Sequence, residues 1–153
     1  MSEKKTENSK ELIIAIRISG MVKVRKEIAN TLERLRLRRK YSAVLIKSNR
    51  NALGMLEKVK HYISYGIIDK GTLVELIKQR AVVDKSKEEN KKIKIEPEKN
   101  ADGLLKGKKL SDFGLKAFFR LHPPRGGIKS KLPSPKGVLG KNKKINELVR
   151  RML

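Results

Sequence analysis

Histidine and cysteine, the side chains that most often bind metals or act as nucleophiles, are scarce in this sequence. Its 153 residues include two histidines, His61 and His122, which lie far apart, and no cysteine. A zinc site needs several nitrogen or sulfur ligands close together. We therefore predict no metal site, no thiol nucleophile and no disulfide, and the lack of cysteine fits a reducing compartment.

Two further patterns that are typical of catalytic sites are incomplete. The run from Gly126 to Ser130 resembles a phosphate loop, but Ile128 separates the glycines from the Lys-Ser pair that such a loop requires. A metal-dependent nuclease needs acids that converge on one or two ions. Four of the carboxylates instead lie near Lys and Arg on predicted helices, where solvated charge pairs are expected: Glu27, Glu33, Glu57 and Glu75. Asp69 and Asp112 stand alone in the sequence. We predict no catalytic residue and no cofactor.

Basic side chains are the abundant chemical group, and their chemistry is the binding of anions. The chain has 39 Lys plus Arg against 16 Asp plus Glu, a formal charge of +23. The excess is uneven: residues 23–40 carry +6, residues 84–105 are neutral, and residues 106–153 carry +12. Lys-rich composition alone could reflect a thermophilic source. A Pro- and Gly-rich segment with such charge would repel itself, however, so the distribution indicates a polyanionic partner.

The C-terminal segment has the composition of an extension that follows a phosphate backbone. Residues 120–140 hold four of the five prolines and four of the eleven glycines. Gly126 and Gly127 would allow close backbone approach to phosphate. Three phenylalanines, Phe113, Phe118 and Phe119, come before it. Their rings would either stack on bases or, as we favour, dock the extension onto a core.

The first half of the chain contains the elements that must position these groups. Residues from Leu12 to Ile18 alternate in a β-branched pattern that predicts a strand. This apolar run is far shorter than the roughly 20 residues of a membrane helix. A helical stripe follows at Val24, Ile28, Leu32 and Leu35. Ala43 to Ile46 then reads as a second buried strand.

Further elements continue the alternation. Asn49 or Asn51 is expected to cap a helix whose stripe is Ala52, Leu56, Val59 and Ile63. Tyr62 to Ile68 predicts a third strand, and Thr72 with Glu75 has the spacing of a capping box that begins a third helix. This order indicates a small layered α/β or α+β core with helices that cover a sheet.

The remainder of the chain differs from the core in composition. The polar stretch from Asp84 to Asn100 predicts an inserted loop or short hairpin. After Asn142, a candidate cap, the apolar residues Ile145, Leu148, Val149 and Met152 predict an amphipathic terminal helix. Such a short helix must dock on the core to persist.

Several stretches resemble the ribosomal protein family that is called L-thirty in bacteria and archaea and L-seven in eukaryotes. Residues 32–46, LERLRLRRKYSAVLI, and 51–66, NALGMLEKVKHYISYG, carry the resemblance in the core. Residues 120–129, RLHPPRGGIK, and 139–153, LGKNKKINELVRRML, resemble the long archaeal and eukaryotic branch. The resemblance spans about residues 11–153, and the insertion at 84–100 departs from it.

The resemblance implies an α+β fold: a ferredoxin-like βαβαβ unit whose three-stranded antiparallel sheet has the order three-one-two, with helices on one face. We expect a flexible tail at residues 1–10, a core with a third helix at 11–83, a polar insertion at 84–105, and a basic extension ending in a helix at 106–153.

The resemblance also implies a structural, non-catalytic role in the large ribosomal subunit, in the cytoplasm. The implied partners are large-subunit rRNA, including contacts near the small 5S-type rRNA, and neighbouring ribosomal proteins, with no membrane and no small-molecule substrate. The residues expected to contact rRNA are Arg34, Arg36, Arg38, Arg39, Lys40, Arg50, Asn51, Gly54, Lys58, Arg120, His122, Arg125, Gly126, Gly127, Lys129, Lys131 and Lys136.

Two alternatives from other classes remain open at this point. A chromatin-like protein that coats nucleic acid would use the same charge on duplex DNA, although the irregular Pro-Gly extension suits a folded RNA cleft better than a uniform groove. An RNA-processing enzyme would need acids such as Asp112 to act with a metal ion.

Overall fold

The computed structural model describes residues 11–86, 93–128, 130–134 and 136–153. A short 3-10 helix, Leu110–Phe113, accompanies the regular elements. In chain order these are β1 (Leu12–Arg17), α1 (Lys26–Arg34), β2 (Ser42–Lys47), α2 (Arg50–Lys58), β3 (Ile63–Ile67), α3 (Lys70–Arg80), α4 (Pro97–Leu105), β4 (Phe119–Arg120), β5 (Gly140–Lys141) and α5 (Ile145–Met152).

The sheet has the strand order β4-β2-β1-β3-β5. Its centre is the expected antiparallel arrangement, with β1 between β2 and β3. The expected number of three strands is wrong, because the C-terminal segment adds a short strand at each edge: β4 pairs with β2 through Ser42 and Arg120, and β5 pairs in parallel with β3 through Ser64 and Gly140. These additions occupy part of the backbone hydrogen-bonding groups that edge strands leave unpaired.

The expected packing of helices on one face of the sheet is present, and further helices cover the other face as well. On one face, Ile13 and Ala15 of β1 lie in an apolar cluster with residues of α1 and α2. On the other, Ile14 and Ile16 lie in a larger cluster with residues of α3, α4 and α5. Because successive strand residues point to opposite faces and both faces are covered, β1 is buried along its whole length. That double burial explains why its residues from Leu12 to Ile16 are all apolar.

A side-chain cap marks the start of α2, whereas α3 begins without one. The side chain of Asn49 caps α2, since its Oδ1 accepts a hydrogen bond of 2.7 Å from the amide of Ala52. The helix ends at Lys58, and Ile63 begins β3 instead of extending the helical stripe. The predicted capping box at Thr72 is wrong: α3 begins at Lys70, and the buried Thr72 hydroxyl has no hydrogen-bond partner in the described part of the chain.

Part of the polar insertion is helical, which corrects the expectation of a loop or hairpin there. Pro97 occupies the first turn of α4, a position where its missing N–H costs nothing. Asn100, Ala101 and Leu104 are buried, and α4 packs against α3. Residues 87–92 of the insertion lie outside the described residues.

The terminal helix is confirmed, and the extension before it is docked on the core. All four residues of the predicted apolar stripe of α5 are buried: Ile145, Leu148, Val149 and Met152. Asn142 accepts a bond of 2.9 Å from the amide of Lys144 and donates one of 3.3 Å to the Ser64 hydroxyl. Phe119 is almost completely buried, so it packs the extension onto the core. No helix among the described residues is long and apolar enough to cross a membrane.

Candidate nucleic-acid interface

The segment that joins α1 to β2 presents a row of basic side chains. Leu37 is completely buried, whereas its neighbours Arg36, Arg38, Arg39 and Lys40 are exposed. The backbone turns tightly here, because Arg36 has a φ of 62°. Left-handed backbone is unfavourable for a residue with a side chain, so surrounding contacts must hold this conformation. We call residues 36–40 the basic loop.

Arg17, at the end of β1, provides those contacts from beneath. Its side chain is buried, and its Nη1 donates bonds of 2.7 Å to the carbonyl of Leu37 and 3.2 Å to that of Arg38. Its remaining nitrogens bond the carbonyls of Ser19, at 3.0 Å, and Gly20, at 3.3 Å. Burial lowers the pKa of Arg17 from its ordinary value, but a guanidinium in a protein keeps its proton. A fixed positive charge therefore anchors the basic loop.

Strand β4 brings the C-terminal extension beside this loop. Arg120 lies opposite Ser42 in the sheet, and the amide of Leu121 donates to the carbonyl of Tyr41 at 3.0 Å. The guanidinium of Arg120 stands over the ring of Phe118, 5.8 Å from its centroid. A cavity of about 500 Å³ opens here, and its basic lining residues are Arg36, Arg38, Arg39, Lys116 and Arg120.

A second groove of about 470 Å³ continues along the part of β2 that β4 does not cover. Arg36 lines both cavities and joins them. The ammonium group of Lys47 donates to the carbonyl of Gly107, which ties the α4 end to the strand. We call the two cavities together the β2-edge groove. Its basic lining residues are Arg34, Arg36, Arg38, Arg39, Lys47, Lys108, Lys109, Lys116 and Arg120.

The predicted contact residues on α2 form a separate exposed surface. Arg50 and Asn51 lie in the first turn, Gly54 faces open space, and Lys58 is in the last turn. All four are exposed, and none lines the β2-edge groove. The structure therefore does not bring this group together with the basic loop.

The glycine pair of the extension is held against the end of α5. Gly126 and Gly127 both have positive φ, at 78° and 72°. The guanidinium of Arg151 donates to the carbonyl of Arg125 at 3.0 and 2.9 Å and also to that of Gly127. The side chain of Arg125 is exposed, and so is His122, whose amide donates to the Met152 carbonyl at 2.9 Å.

Two further predicted contacts lie on the loop between this turn and β5. Lys131 and Lys136 are exposed there, and Lys129 lies outside the described residues. At the β5 edge of the sheet, opposite to β4, a further cavity of about 450 Å³ is lined by Lys141, Lys143, Lys144 and Arg151. These four residues were not among the predicted contacts, although the run KNKK at 141–144 is visible in the sequence.

Comparison with known proteins finds relatives that match almost the whole chain. The family model described as "Ribosomal protein L30p/L7e" matches residues 13–63. A large ribosomal subunit protein uL30 from Hyperthermus butylicus is 40% identical, over 99% of this chain and 97% of the relative. The chain belongs to the uL30 family. Further uL30 relatives are those of Methanococcus vannielii, 40% identical over 90% of this chain and 97% of the relative, and of Cenarchaeum symbiosum, 38% identical over 92% and 97%.

As a uL30 family member, the chain is a structural ribosomal protein and not an enzyme, as expected from the resemblance. Within the described ranges, no three His, Asp or Glu side chains come close enough to hold a metal ion. Glu33, Glu57 and Glu75 form exposed ion pairs with basic residues, and Asp112 accepts a bond of 2.9 Å from the amide of Lys109.

Sequence reasoning missed four lysines of this uL30 chain's β2-edge groove. Lys47 ends β2, Lys108 and Lys109 follow α4, and Lys116 precedes β4. The sequence signal for these lysines was only their contribution to the net positive charge. Their neighbouring residues do not distinguish them from lysines that are simply exposed to solvent. Only the pairing of β4 with β2 and the packing of α4 bring them to the groove.

Proposed function

We propose that this protein is a structural constituent of the large ribosomal subunit that binds large-subunit rRNA and supports subunit assembly and translation from the cytoplasm. The observation that carries the proposal is the convergence on one groove of basic side chains that lie about 80 residues apart in the sequence. Arg36, Arg38 and Arg39 come from the basic loop, whereas Lys116 and Arg120 come from the extension. In a uL30 chain, rRNA is the polyanion that fits this groove.

Electrostatics accounts for the affinity of such a groove. Each Lys or Arg that neutralises a phosphate releases a condensed counterion, so binding weakens steeply as salt rises. The guanidinium fork of arginine also matches a phosphate in two hydrogen bonds, and four of the five basic residues lining the cavity beside β4 are arginines. RNA grooves display phosphates and 2′-hydroxyls more than base edges, so shape would supply much of the selectivity.

Two further surfaces join the proposal as secondary contacts. The exposed residues of α2, from Arg50 to Lys58, present polar and basic groups away from the β2-edge groove, and so do His122, Arg125, Lys131 and Lys136 of the extension. We assign them to additional rRNA segments, including a segment of the small 5S-type rRNA, while neighbouring ribosomal proteins would cover the remaining exposed surface.

The test is a binding measurement with purified full-length protein and large-subunit rRNA across a salt series. If the groove contacts some six to ten phosphates, affinity should fall by about 10³ to 10⁵ between roughly 50 and 200 mM salt. The triple variant Arg36→Gln, Arg38→Gln, Arg39→Gln should lower the log–log salt slope by about three.

A matched variant controls for the loss of three charges. Lys78→Gln, Lys85→Gln, Lys99→Gln removes the same charge from exposed lysines that line none of the cavities described above. Equal effects of the two triple variants, or equal affinity for duplex DNA competitor, would favour the nucleic-acid-coating alternative and contradict the proposal.

A further inference from the structure

The residues around Phe118 combine an aromatic ring with cations in a concave site. Phe118 and Arg120 are two positions apart on the short edge strand region, and so they share the face opposite to the buried Phe119. The ring of Phe118 is partly exposed, and the central carbon of the Arg120 guanidinium lies 5.8 Å from the ring centroid. This pair therefore offers two flat surfaces, a ring and a guanidinium plane, to a ligand.

Two cavities meet at this pair. Besides the cavity of about 500 Å³ beside the basic loop, another of about 350 Å³ lies towards the end of α3. Lys116, Phe118 and Arg120 line both of them. Arg80 lines the second cavity, and its buried Nε has no hydrogen-bond partner within the described residues. Both volumes lie in the range of small-ligand pockets, about 300 to 1,000 Å³.

The walls of the site are held by backbone hydrogen bonds and do not depend on a ligand. The amide of Lys116 donates to the carbonyl of Val82 at 2.8 Å, and that of Asp84 donates to Gly114 at 2.8 Å. The carboxylate of Asp84 also faces the first cavity, but its Oδ1 accepts bonds from the amide and hydroxyl of Ser86 at 3.1 and 2.7 Å. This carboxylate, the one that lines the cavity among the described residues, is thus engaged in a local turn.

A paired RNA strand cannot place a base in such a site, because its bases are stacked inside the helix. Unpaired nucleotides, in contrast, are commonly bound by stacking on aromatic rings or on arginine planes, with cations at the adjacent phosphates. We propose that the Phe118–Arg120 site takes one unpaired nucleotide of the bound RNA, with its base against the ring and guanidinium and its flanking phosphates among Arg36, Arg38, Arg39, Arg80 and Lys116. This inference rests on the proposed function.

The experiment compares two RNA hairpins that differ by a single bulged uridine. Wild-type protein should bind the bulged hairpin more tightly than the fully paired one. Phe118→Leu keeps an apolar side chain, and it should lower affinity for the bulged hairpin by about 5- to 150-fold, the range expected for one base on one aromatic ring. Affinity for the paired hairpin and the salt slope of both should stay unchanged, because no charge is lost.

Phe113→Leu is the matched control. Phe113 is also partly buried with a cation over its ring, Lys108 at 5.8 Å, but it lines neither of the two cavities. The Phe113→Leu variant should therefore keep the preference for the bulged hairpin over the paired one. Arg120→Lys keeps the positive charge but removes the planar guanidinium group. It should reduce the preference for the bulged hairpin by a smaller factor than Phe118→Leu does. Thermal melting of each variant checks that it folds.

A photochemical crosslink would show directly where the bulged base lies on the protein. Replacing the bulged base by 5-iodouridine and irradiating the complex should attach it to the peptide that contains Phe118, as read by mass spectrometry. Equal binding of both hairpins by wild-type protein, an equal loss on both in Phe118→Leu, or a crosslink elsewhere would overturn the inference while leaving the proposed function intact. Failure of wild-type protein to bind either RNA would instead refute the proposed function itself.

Discussion

The guanidinium of Arg17 donates a hydrogen bond of 2.7 Å to the backbone carbonyl of Leu37, and this bond joins the central strand to the basic loop. Leu37 in turn buries its side chain completely in the cluster beneath α1 and α2. The exposed arginines on either side of Leu37 are therefore held by a buried arginine that lies too deep to contact RNA.

Arg17→Met tests this relationship. Loss of the guanidinium leaves buried carbonyls without donors, so we expect the free energy of unfolding to fall by about 2 to 3 kcal/mol. Amide hydrogen exchange should accelerate from Leu37 to Tyr41, and rRNA affinity should decrease at temperatures where the protein remains folded. Denaturant unfolding and exchange mass spectrometry measure these effects. Unchanged exchange in the basic loop would show that Arg17 does not position it.

Gly66 and Gly54 should respond oppositely to substitution by alanine. A Cβ at Gly66 would lie 2.5 Å from the Asn142 carbonyl and 2.8 Å from Cγ2 of Ile145, so Gly66→Ala should push α5 away and cost about 1 to 3 kcal/mol. A Cβ at Gly54, in the exposed interior of α2, meets nothing within 4 Å. Gly54→Ala should therefore stabilise the fold by about 0.5 to 1 kcal/mol. Equal changes in melting temperature would contradict the docking of α5.

The ion pair of Lys70 and Asp102 connects α3 to α4 at 2.7 Å and predicts a pH effect. The hydrogen bond from Lys70, together with its charge, lowers the pKa of Asp102. Because the folded state depresses this pKa, the small stabilisation is present at neutral pH and is lost as pH falls through the folded-state pKa. Both groups are exposed, so added salt should weaken the effect.

An NMR titration of the Asp102 carboxyl should show a pKa below the ordinary value in wild-type protein. Lys70→Gln should return it towards that value. No difference between the two titrations would mean that the ion pair is not populated in solution.

Arg120→Ala combined with Arg125→Ala should weaken incorporation into the large subunit. Both side chains are exposed, so the melting temperature of the free protein should remain nearly unchanged. Sedimentation of a lysate through a sucrose gradient, with quantitative mass spectrometry of each fraction, measures incorporation as copies per large subunit. An equal loss of thermal stability would instead assign these arginines a packing role.

Local patterns predicted most of the core correctly where the deciding interaction was itself local. Asn49 caps α2 as expected, since the acceptor and donor are three residues apart. The helical spacing that placed Ile63 on α2 was misleading, because the chain turns between Val59 and Tyr62 and the same spacing continues into a strand. Thr72 had capping-box spacing, but the helix begins earlier, at Lys70.

The candidate site was predictable only in part. All described residues that were expected to contact rRNA are exposed, but they lie on separate surfaces: Arg34 and the basic loop near Arg120, the α2 residues elsewhere, and the glycine turn against α5. Their contacts with rRNA stay a prediction. The resemblance identified the family, yet it contained no information on which charges share a groove.

Composition and periodicity alone established a strongly basic chain, a βαβαβ core and an amphipathic terminal helix, because charge counts and side-chain alternation are local properties. The five-stranded sheet, the burial of its second face and the β2-edge groove were decided only by tertiary structure. The pairing of Ser42 with Arg120 joins residues far apart in the sequence. Such a contact depends on the packing of the whole core, so it could not be predicted from any local sequence pattern.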